Sequence, residues 1–533
     1  MSPFKLFWTV STLVLLAIAG IAIVWPPVLF GLILVLPLYA LGVWDTLQRR
    51  HAVLRNFPLI GHFRYLLELI RPEIQQYFIE SETDGRPFPR EIRALVYQRA
   101  KDVRDTVPFG TKHDLDTVGA EIIAHSIRAK SPPPEAPRIT IGAQRCRRPY
   151  AASLLNVSAM SFGSLSSNAV LALNGGAKLG GFYHNTGEGG LSPYHLEPGG
   201  DVCWQVGTGY FGCRTPDGGF DPEKFAANAA HPQVKMIELK LSQGAKPGHG
   251  GILPGAKVTP EIAAIRGVRV GETVYSPPAH TAFETPLELL RFVAHLRELS
   301  GGKPVGIKLC VGRVSEFMAI CKAMLESGEA VDFVSVDGAE GGTGAAPLEF
   351  TNSIGVSLTE GLLLVHNVLV GTGLRDSIRV IASGRIATGF HLVQRLAIGA
   401  DLCAAARTMM FALGCIQALR CNTNMCPVGV ATQEPDLVRG LDVADKRVRV
   451  ANFHRNTVHA ALEILGAAGL EHPSQLGPQH IYRRMSPSRI ATYAEVYDYL
   501  EPNDLLRGKL GKREDPYDSM LKAEWEHARA DTF

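Results

Sequence analysis

The sequence lacks any long run of basic residues, and its 54 Lys and Arg against 51 Asp and Glu give a net charge of +3. Because the positive and negative charges nearly balance, there is no electrostatic basis for nucleic-acid binding, and no nucleic-acid partner is expected. Cysteine is also scarce: nine residues in 533 exclude a small disulfide-stabilised scaffold. With 46% hydrophobic and 20% charged residues, a mostly disordered chain is excluded as well.

Charge is missing altogether from the stretch between Leu6 and Trp44. Trp25-Pro26-Pro27 divides it into apolar runs of nineteen and seventeen residues, each long enough to cross, or nearly cross, a hydrocarbon core. The proline pair predicts a turn between them. We expect a transmembrane helical hairpin over residues 1–48. A signal peptide in the first run and a buried hairpin of a soluble protein are the alternatives.

Basic residues follow this stretch directly. Arg49, Arg50 and Arg55 should remain on the cytoplasmic side of the inner membrane by the positive-inside rule. Both ends of the hairpin would then face the cytoplasm, and so would everything after it, as expected for a multi-pass protein. Cytoplasmic thiols are reduced, so clustered cysteines there indicate metal or redox ligands.

The rest of the chain divides by composition. Residues 49–130 are predicted to form a helical connector without chemistry of their own. The proline-rich stretch Ser131–Pro137 predicts a stiff boundary. Residues 131–470 alternate short β-rich runs with amphipathic stretches, and residues 471–533 form a charged tail expected to be solvated surface.

Eight apolar runs in this region are predicted strands: Leu154–Ala159, Gly181–Asn185, Val202–Val206, Met236–Leu241, Val305–Leu309, Phe333–Val336, Arg379–Ala382 and Leu402–Ala405. Predicted helices lie between most of them: Ser167–Lys178, Pro286–Leu299, Glu316–Glu326, Leu358–Val370 and Phe390–Ile398. Eight β-then-α units are typical of a (β/α)8 TIM-type barrel, so the fold class is α/β. An open, doubly wound sheet is the alternative.

Polar and glycine-rich segments follow the predicted strands, where a barrel places its active site. The loops at Ser383-Gly384-Arg385 and Ala406-Arg407 follow strands seven and eight, the usual position of a cofactor phosphate. Lys240, Lys246 and Lys308 lie on or just past strands, so they either face an anion or flavin ring in a polar cavity or are exposed strand-end lysines. Glu188, between glycines, either orients a substrate amine or serves as a capping carboxylate.

Three cysteines cluster beyond the last predicted strand, as Cys415-x5-Cys421-x4-Cys426-Pro427. Three thiolates followed by proline suit an iron–sulfur cluster. Zinc normally needs a fourth protein ligand, and no neighbouring histidine provides one. The count favours [3Fe-4S] over [4Fe-4S], unless Cys403 contributes. Unligated cysteines are the alternative.

These motifs together resemble the FMN-binding synthase domain of the glutamate synthase family, over about Leu154 to Gln433. The resemblance is carried by the segments Met160–Ser166, Gly187–Gly190, Gln243–Gly248, Leu253–Gly255, Val258–Pro260, Gly341–Ala345 and Cys426–Gln433. It implies that reduced FMN transfers a hydride to the imine of a 2-oxo acid, such as 2-oxoglutarate, to form an amino acid such as glutamate. It also implies that a [3Fe-4S] cluster relays electrons to the flavin.

The resemblance assigns roles residue by residue. The implied catalytic residues are Glu188, Lys240, Lys246 and Arg266. The implied FMN-binding residues are Met160, Ser161, Gln243, Lys308, Gly341, Gly342, Thr343, Ser383, Gly384, Arg385, Ala406 and Arg407. The implied cluster ligands are Cys415, Cys421 and Cys426.

The sequence departs from the family where a glutamine normally helps to bind the oxo acid, because Ile252 stands there. This departure leaves open whether the 2-oxo acid is 2-oxoglutarate or a similar one. No glutaminase segment and no Gly-x-Gly-x-x-Gly dinucleotide motif is found, so we expect electrons from a partner such as ferredoxin or an NADPH-oxidising subunit. Two other functions remain open: an FMN-dependent amino- or hydroxy-acid dehydrogenase that feeds a membrane acceptor, and an inactive electron-relay subunit.

Overall fold

The structure is a computed structural model that describes residues 2–103, 106–508 and 516–533. The chain separates into two compact units, Met1–Glu91 and Ile92–Phe533.

The first unit begins with two long apolar helices. Pro3–Ala22 and Leu32–Leu47 are joined by a 3-10 turn over Pro26–Gly31, where the proline pair breaks the helical run. The segments Pro3–Ala22 and Pro26–Leu47 are long and apolar enough to cross a membrane, and almost none of their surface is buried. Gly42 brings them together, because a Cβ there would lie 2.2 Å from the Phe7 ring. The predicted pair of apolar helices is confirmed, whereas the membrane itself stays a prediction.

Shorter helices complete this unit: Ala52–Asn56, Gly61–Ile74 and a π turn at Gln75–Ile79. Asp45, in the last turn of Leu32–Leu47, holds them in place. Its buried carboxylate accepts hydrogen bonds from the Leu59 amide at 2.9 Å and from His62 Nε2 at 2.9 Å. The start of Gly61–Ile74 is thereby fixed against the end of the second long helix.

The second unit is built around a closed parallel barrel. Its strands are, in chain order, Leu155–Val157, His184–Asn185, Val202–Val206, Val234–Lys240, Val305–Leu309, Phe333–Asp337, Arg379–Ser383 and Leu402–Ala405. The first and eighth strands pair, with Leu155 beside Cys403, and so complete the ring. All eight predicted strands and the TIM-type fold are confirmed, and the open doubly wound sheet is excluded.

Helices follow the strands and surround the barrel. They are Ser167–Gly180, Pro193–Leu196, Pro222–Ala229, Pro260–Arg266, Pro286–Leu299, Val314–Ser327, Leu348–Ser353, Leu358–Gly371, Gly389–Ile398, Arg407–Leu413, Pro435–Val438 and Val443–Ala467. Capping residues set several of their starts: Thr285 and Glu288 form a capping box at Pro286, as Ser357 and Glu360 do at Leu358. The five predicted helices are confirmed to within two residues at each end.

One end of the barrel is closed by apolar side chains. The antiparallel pair Ile139–Ile141 and Tyr150–Ala152 packs against Tyr183, Met236 and Phe333, which lie at the start of their strands or just before it. Only the opposite rim, where the strands end, is left for polar loops. This is the end at which a barrel of this class carries its site.

The regions flanking the barrel differ from expectation. Helix Arg90–Lys101 lies in the predicted connector, but residues 121–123 form a strand that pairs with Ile481–Ser486, which in turn pairs with Arg489–Thr492. The predicted solvated tail therefore contains an ordered antiparallel sheet. Short helices follow at Tyr493–Val496 and Asp504–Arg507, and the last helix, Pro516–His527, leads to Ala528, whose carbonyl accepts from Lys322 Nζ at 2.7 Å.

Candidate active site

The ladder of the barrel brings the predicted site residues to one rim. In the parallel register Lys240 lies beside Lys308, at the ends of strands four and five. Asp337 lies beside Ser383, at the ends of strands six and seven. Most of the other predicted site residues lie in the segments that directly follow the strands. They are Met160 and Ser161 after the first, Glu188 after the second, Gln243 and Lys246 after the fourth, Gly341, Gly342 and Thr343 after the sixth, Gly384 and Arg385 after the seventh, and Ala406 and Arg407 after the eighth.

Glu188 and Lys240 form the centre of the site. Lys240 Nζ lies 3.0 Å from Glu188 Oε1 and donates to Gln243 Oε1 at 2.5 Å. Burial opposes ionisation of Glu188, but the charges of Lys240, Lys246 and Arg266 outweigh it, so the pKa of Glu188 is lowered. Its second oxygen, Oε2, is buried and has no hydrogen-bond partner among the described residues. An ionised carboxylate with one free acceptor is thus held at the rim.

Two further cations surround this carboxylate. Lys246 is buried and donates to the Ala345 carbonyl at 2.9 Å, and burial lowers its pKa to about 8. Burial also lowers the pKa of Arg266, to about 10. Lysines 240 and 246 and Arg266 give three cations for one carboxylate, an excess that suits an anionic ligand.

Arg266 reaches the site from a long insertion between strands four and five. This insertion contains the antiparallel pair Ile252–Leu253 and Val274–Tyr275 and the helix Pro260–Arg266. The guanidinium donates to the Phe162 carbonyl at 2.9 Å and to Ser161 Oγ at 3.3 Å. The loop after the first strand is thereby held against the insertion.

Close backbone approach around Glu188 requires glycine. A Cβ on Gly251 would lie 2.1 Å from Glu188 Oε1, and one on Gly189 would lie 2.6 Å from Arg266 Nη2. Gly187 has φ +65°, and a Cβ there would lie 2.6 Å from the Ser161 amide. The segment at Gly251, next to Ile252, therefore lies directly against the Glu188 carboxylate.

Lys308 belongs to a second group on the same rim. Its Nζ lies 3.3 Å from Asp337 Oδ2, which also accepts from the Gly244 amide at 3.0 Å. Burial disfavours the ammonium, but Asp337 and Glu238 outweigh it and raise the pKa of Lys308. Lys308 is therefore a permanent buried cation. Asp337 was not among the predicted site residues.

A third group lies after strands seven and eight. Arg407 donates to the Glu340 carbonyl at 2.8 Å, which ties it to the loop with Gly341 and Gly342. Burial, followed by repulsion from Arg385, lowers the pKa of Arg407 to about 10. Ser383 Oγ lies 2.9 Å from Ser158 Oγ, which follows strand one, so this bond passes over the end of strand eight, which lies between strands seven and one. Two arginines that repel each other at this position suit a bound anion.

The three clustered cysteines lie in one loop, and each is partly or fully buried. Burial and then the thiols of Cys421 and Cys426 raise the pKa of Cys415 to about 12. Within the described residues, no three His, Cys, Asp or Glu side chains converge closely enough to hold one metal ion. A cluster differs from such a centre, since each thiolate binds a different iron. The backbone of this loop takes left-handed φ values at Gln417, Leu419 and Asn424.

Lys257 joins the cysteine loop to the rim. Its buried ammonium donates to the Ser164 carbonyl at 3.1 Å and the Ala431 carbonyl at 2.8 Å. Gln433 Nε2 adds bonds to the Gly163 carbonyl at 3.0 Å and the Leu165 carbonyl at 2.8 Å. The loop after strand one, which carries Ser161, is therefore bonded directly to the segment that follows the cysteines. Cys403, the alternative ligand, is fully buried in strand eight.

Sequence reasoning missed two buried groups beside the site. Glu238 lies inside the barrel and accepts from Asn185 Nδ2 at 2.8 Å, Gln205 Nε2 at 2.6 Å and Ser335 Oγ at 2.6 Å. Its spacing of two from Lys240 was an available signal, because residues i and i+2 of a strand share a face.

The second missed group is His280, in the long insertion. Its Nε2 donates to the Lys240 carbonyl at 2.8 Å, and its Nδ1 lies 3.1 Å from the Tyr210 hydroxyl. Burial lowers its pKa to about 4, so it is a neutral support for Lys240. No pattern around His280 in the sequence points to this role.

Comparison with known proteins places these features in a family. Residues 127–471 match the family model described as the conserved region in glutamate synthase. The chain is 37% identical to the glutamate synthase large subunit-like protein YerD of Bacillus subtilis, over 84% of this chain and 92% of that protein. It is also 37% identical to the archaeal glutamate synthase [NADPH] of Methanocaldococcus jannaschii, over 59% of this chain and 58% of that enzyme. A crystal structure of mandelate oxidase with (S)-2-phenylpropionate aligns over 75% of the chain with 14% identity and a TM-score of 0.40.

Proposed function

Because the chain belongs to the glutamate synthase family of oxidoreductases, we propose that it reductively aminates a 2-oxo acid with FMN and a [3Fe-4S] cluster. The observation that carries this proposal is the group of three cations around Glu188, at the strand-end rim of the barrel. A dicarboxylate or other 2-oxo acid, together with its imine, needs cations for its carboxylate and an acceptor for its N–H group. This site offers both.

The residues that would hold FMN lie around the same rim. Arg385 and Arg407 would bind its phosphate, and the segments Met160–Ser161 and Gly341–Thr343 would lie along it. Lys308 and Gln243 would lie beside the ring, where a positive charge stabilises reduced flavin. The mutual repulsion of the two arginines supports this assignment, because a phosphate between them would remove it. FMN supplies the hydride that reduces the imine carbon.

The protein's own part is to bind, orient and protonate. Lys240 and Arg266 hold the carboxylate of the oxo acid. Glu188 Oε2, the buried oxygen without a partner, accepts the N–H of the imine and of the product amine. Lys246, with a pKa of about 8, is positioned to supply the proton that the imine nitrogen gains when its carbon is reduced.

Cys415, Cys421 and Cys426 would hold the cluster, which supplies electrons to the flavin one at a time. The left-handed φ values in their loop support this assignment, because strained backbone is common where a loop holds a ligand. The bonds of Lys257 and Gln433 to the loop after strand one support a short route from that loop to the flavin side of the barrel. Electrons would reach the cluster from a ferredoxin or an NADPH-oxidising subunit.

The substrate proposed here is 2-oxoglutarate or a similar 2-oxo acid, and Ile252 is the residue that weighs against 2-oxoglutarate itself. Ile252 offers no amide, and its neighbour Gly251 lies against Glu188. A missing amide contact to a buried substrate changes binding by about 1–3 kcal/mol.

We place the barrel on the cytoplasmic side of the inner membrane, anchored by the two apolar helices. Their length, their exposed apolar surface and the arginines that follow support this placement. The same helices favour a second candidate function, a dehydrogenase of an amino or hydroxy acid that passes electrons to a membrane quinone.

Anaerobic purification of the full chain in detergent tests the proposal. Flavin absorption and an oxidised-state EPR signal of a [3Fe-4S] cluster are expected, followed by amino-acid formation from a 2-oxo acid and ammonia with reduced ferredoxin. Oxidation of an amino or hydroxy acid by quinone, without amination, would establish the second candidate instead. Folded protein that binds neither cofactor would contradict both.

A further inference from the structure

The helix Gly61–Ile74 and the turn after it carry an apolar stripe that nothing in the described chain covers. Gly61 is the single buried residue of the helix. Phe63 and Phe78 are 64% and 84% exposed. The exposed apolar residues are Ile60, Phe63, Leu66, Leu67, Leu69, Ile70, Ile74, Tyr77, Phe78 and Ile79. Most of them recur at intervals of three and four residues, so they share one face of the helix.

The opposite face is polar. Arg64 and Glu68 form an i, i+4 ion pair at 2.8 Å on it. Residues 49–74 hold five arginines against two glutamates, an excess of positive charge. At 1.5 Å per residue, fourteen residues extend about 21 Å, which is less than a hydrocarbon core of about 30 Å. This helix is therefore too short and too charged to span a bilayer, but it has the composition of one that lies on it.

The position of this helix within the first unit also favours a place at the membrane surface. Asp45 fixes the start of the helix to the last turn of the second apolar helix, through the Leu59 amide and His62. That turn is where the proposed membrane segment ends and Arg49 and Arg50 begin. With the hairpin in a bilayer, a helix that starts at this turn begins at the boundary between headgroups and acyl chains.

We infer that residues 60–79 form an interfacial helix that lies in the cytoplasmic leaflet, with its apolar stripe in the lipid and its arginines at anionic headgroups. The inference rests on the proposed membrane hairpin and adds a second, surface-parallel contact to it. The occupant of the apolar face is the bilayer itself, because the helix is bonded at its start to the end of the proposed membrane hairpin and its flanking charge is positive. The connector then acts as a membrane contact rather than as a spacer.

Photocrosslinking of the full chain tests this directly. The photoreactive residue p-benzoylphenylalanine replaces Phe63 or Phe78, one at a time, in nanodiscs of phosphatidylethanolamine and phosphatidylglycerol. Glu68 and Gln75, on the polar face, are the matched control positions, and Leu13 in the first apolar helix reports on the hairpin. We expect Phe63 and Phe78 to give roughly tenfold more lipid adduct than Glu68 and Gln75, since an interfacial helix buries only its apolar face.

The other outcomes separate the inference from its premise. Lipid adducts at Leu13, with only protein adducts at Phe63 and Phe78, would overturn the interfacial helix and leave the hairpin in the membrane. Crosslinks to the barrel would identify an internal cover for the stripe, and crosslinks to a second copy would identify a dimer contact. No lipid adduct at Leu13 or at either phenylalanine would overturn the hairpin and the inference together.

Discussion

Replacing Glu238 tests whether the polar group inside the barrel stabilises the fold. Its two carboxylate oxygens accept three hydrogen bonds, from strands two, three and six, and Glu238→Ala removes all three bonds. The Ser335 hydroxyl rotates to another acceptor, but the amides of Asn185 and Gln205 are left with unpaired donors. Each buried unpaired donor costs about 1–3 kcal/mol, so the expected loss of unfolding free energy is about 4 kcal/mol.

The matched change Glu238→Gln should cost much less. Its carbonyl still accepts from Asn185 and Gln205, and its amide donates to the Ser335 hydroxyl, so the loss should stay below about 1 kcal/mol. The unit that contains the barrel has about 440 residues, and about 2.1 cal/mol/K per residue gives an unfolding entropy of about 0.9 kcal/mol/K. Four kcal/mol therefore corresponds to a Tm lower by about 4 °C.

Circular dichroism melts at one scan rate, in the same detergent, measure this difference. Glu326→Ala, at an exposed position of the helix Val314–Ser327, is the control and should leave Tm unchanged. Equal melting temperatures for Glu238→Ala and Glu238→Gln would refute the reasoning, because the two variants differ in their hydrogen bonds and share the loss of charge.

Three further predictions concern the chemistry. Lys246 has a pKa of about 8, lowered by burial, so it is charged below that pH, and amination should fall as pH rises through 8; Lys246→Arg keeps the charge but does not release its proton, so it should lower amination at every pH and remove this fall from the pH–rate profile. Arg385→Gln or Arg407→Gln should weaken flavin retention about 10- to 100-fold, since a charged hydrogen bond contributes about 1.5–3 kcal/mol, and unchanged flavin content after gel filtration would place the phosphate elsewhere. Cys426→Ser should abolish the EPR signal of the cluster and keep the flavin, whereas Cys146→Ser should keep both.

Sequence reasoning predicted the barrel well because buried parallel strands are nearly continuous apolar runs. Lys240 and Lys308 were found for the same reason, as charges that such runs rarely contain. Glu238 was missed because its role depends on partners 33 to 97 residues away, which only strand pairing brings together.

The insertion between strands four and five was the least predictable part of the site. His280 supports Lys240 through a backbone carbonyl, a contact that leaves no pattern in the sequence. Lys257 was likewise invisible, because its two acceptors are carbonyls from distant loops. The strand Glu121–Ile123 was hidden too, since its partner strand lies more than 350 residues later.

That insertion also separates, along the chain, the proposed substrate contacts from the proposed flavin contacts. Arg266 and the segment at Gly251, which lie beside Glu188, belong to it, whereas the proposed flavin contacts lie on the barrel strands and the segments that directly follow them. Substitutions in this one insertion can therefore change the proposed substrate contacts while the barrel strands and the proposed flavin contacts stay unchanged. Ile252, in the antiparallel pair of the insertion, lies in the segment where such a substitution would act.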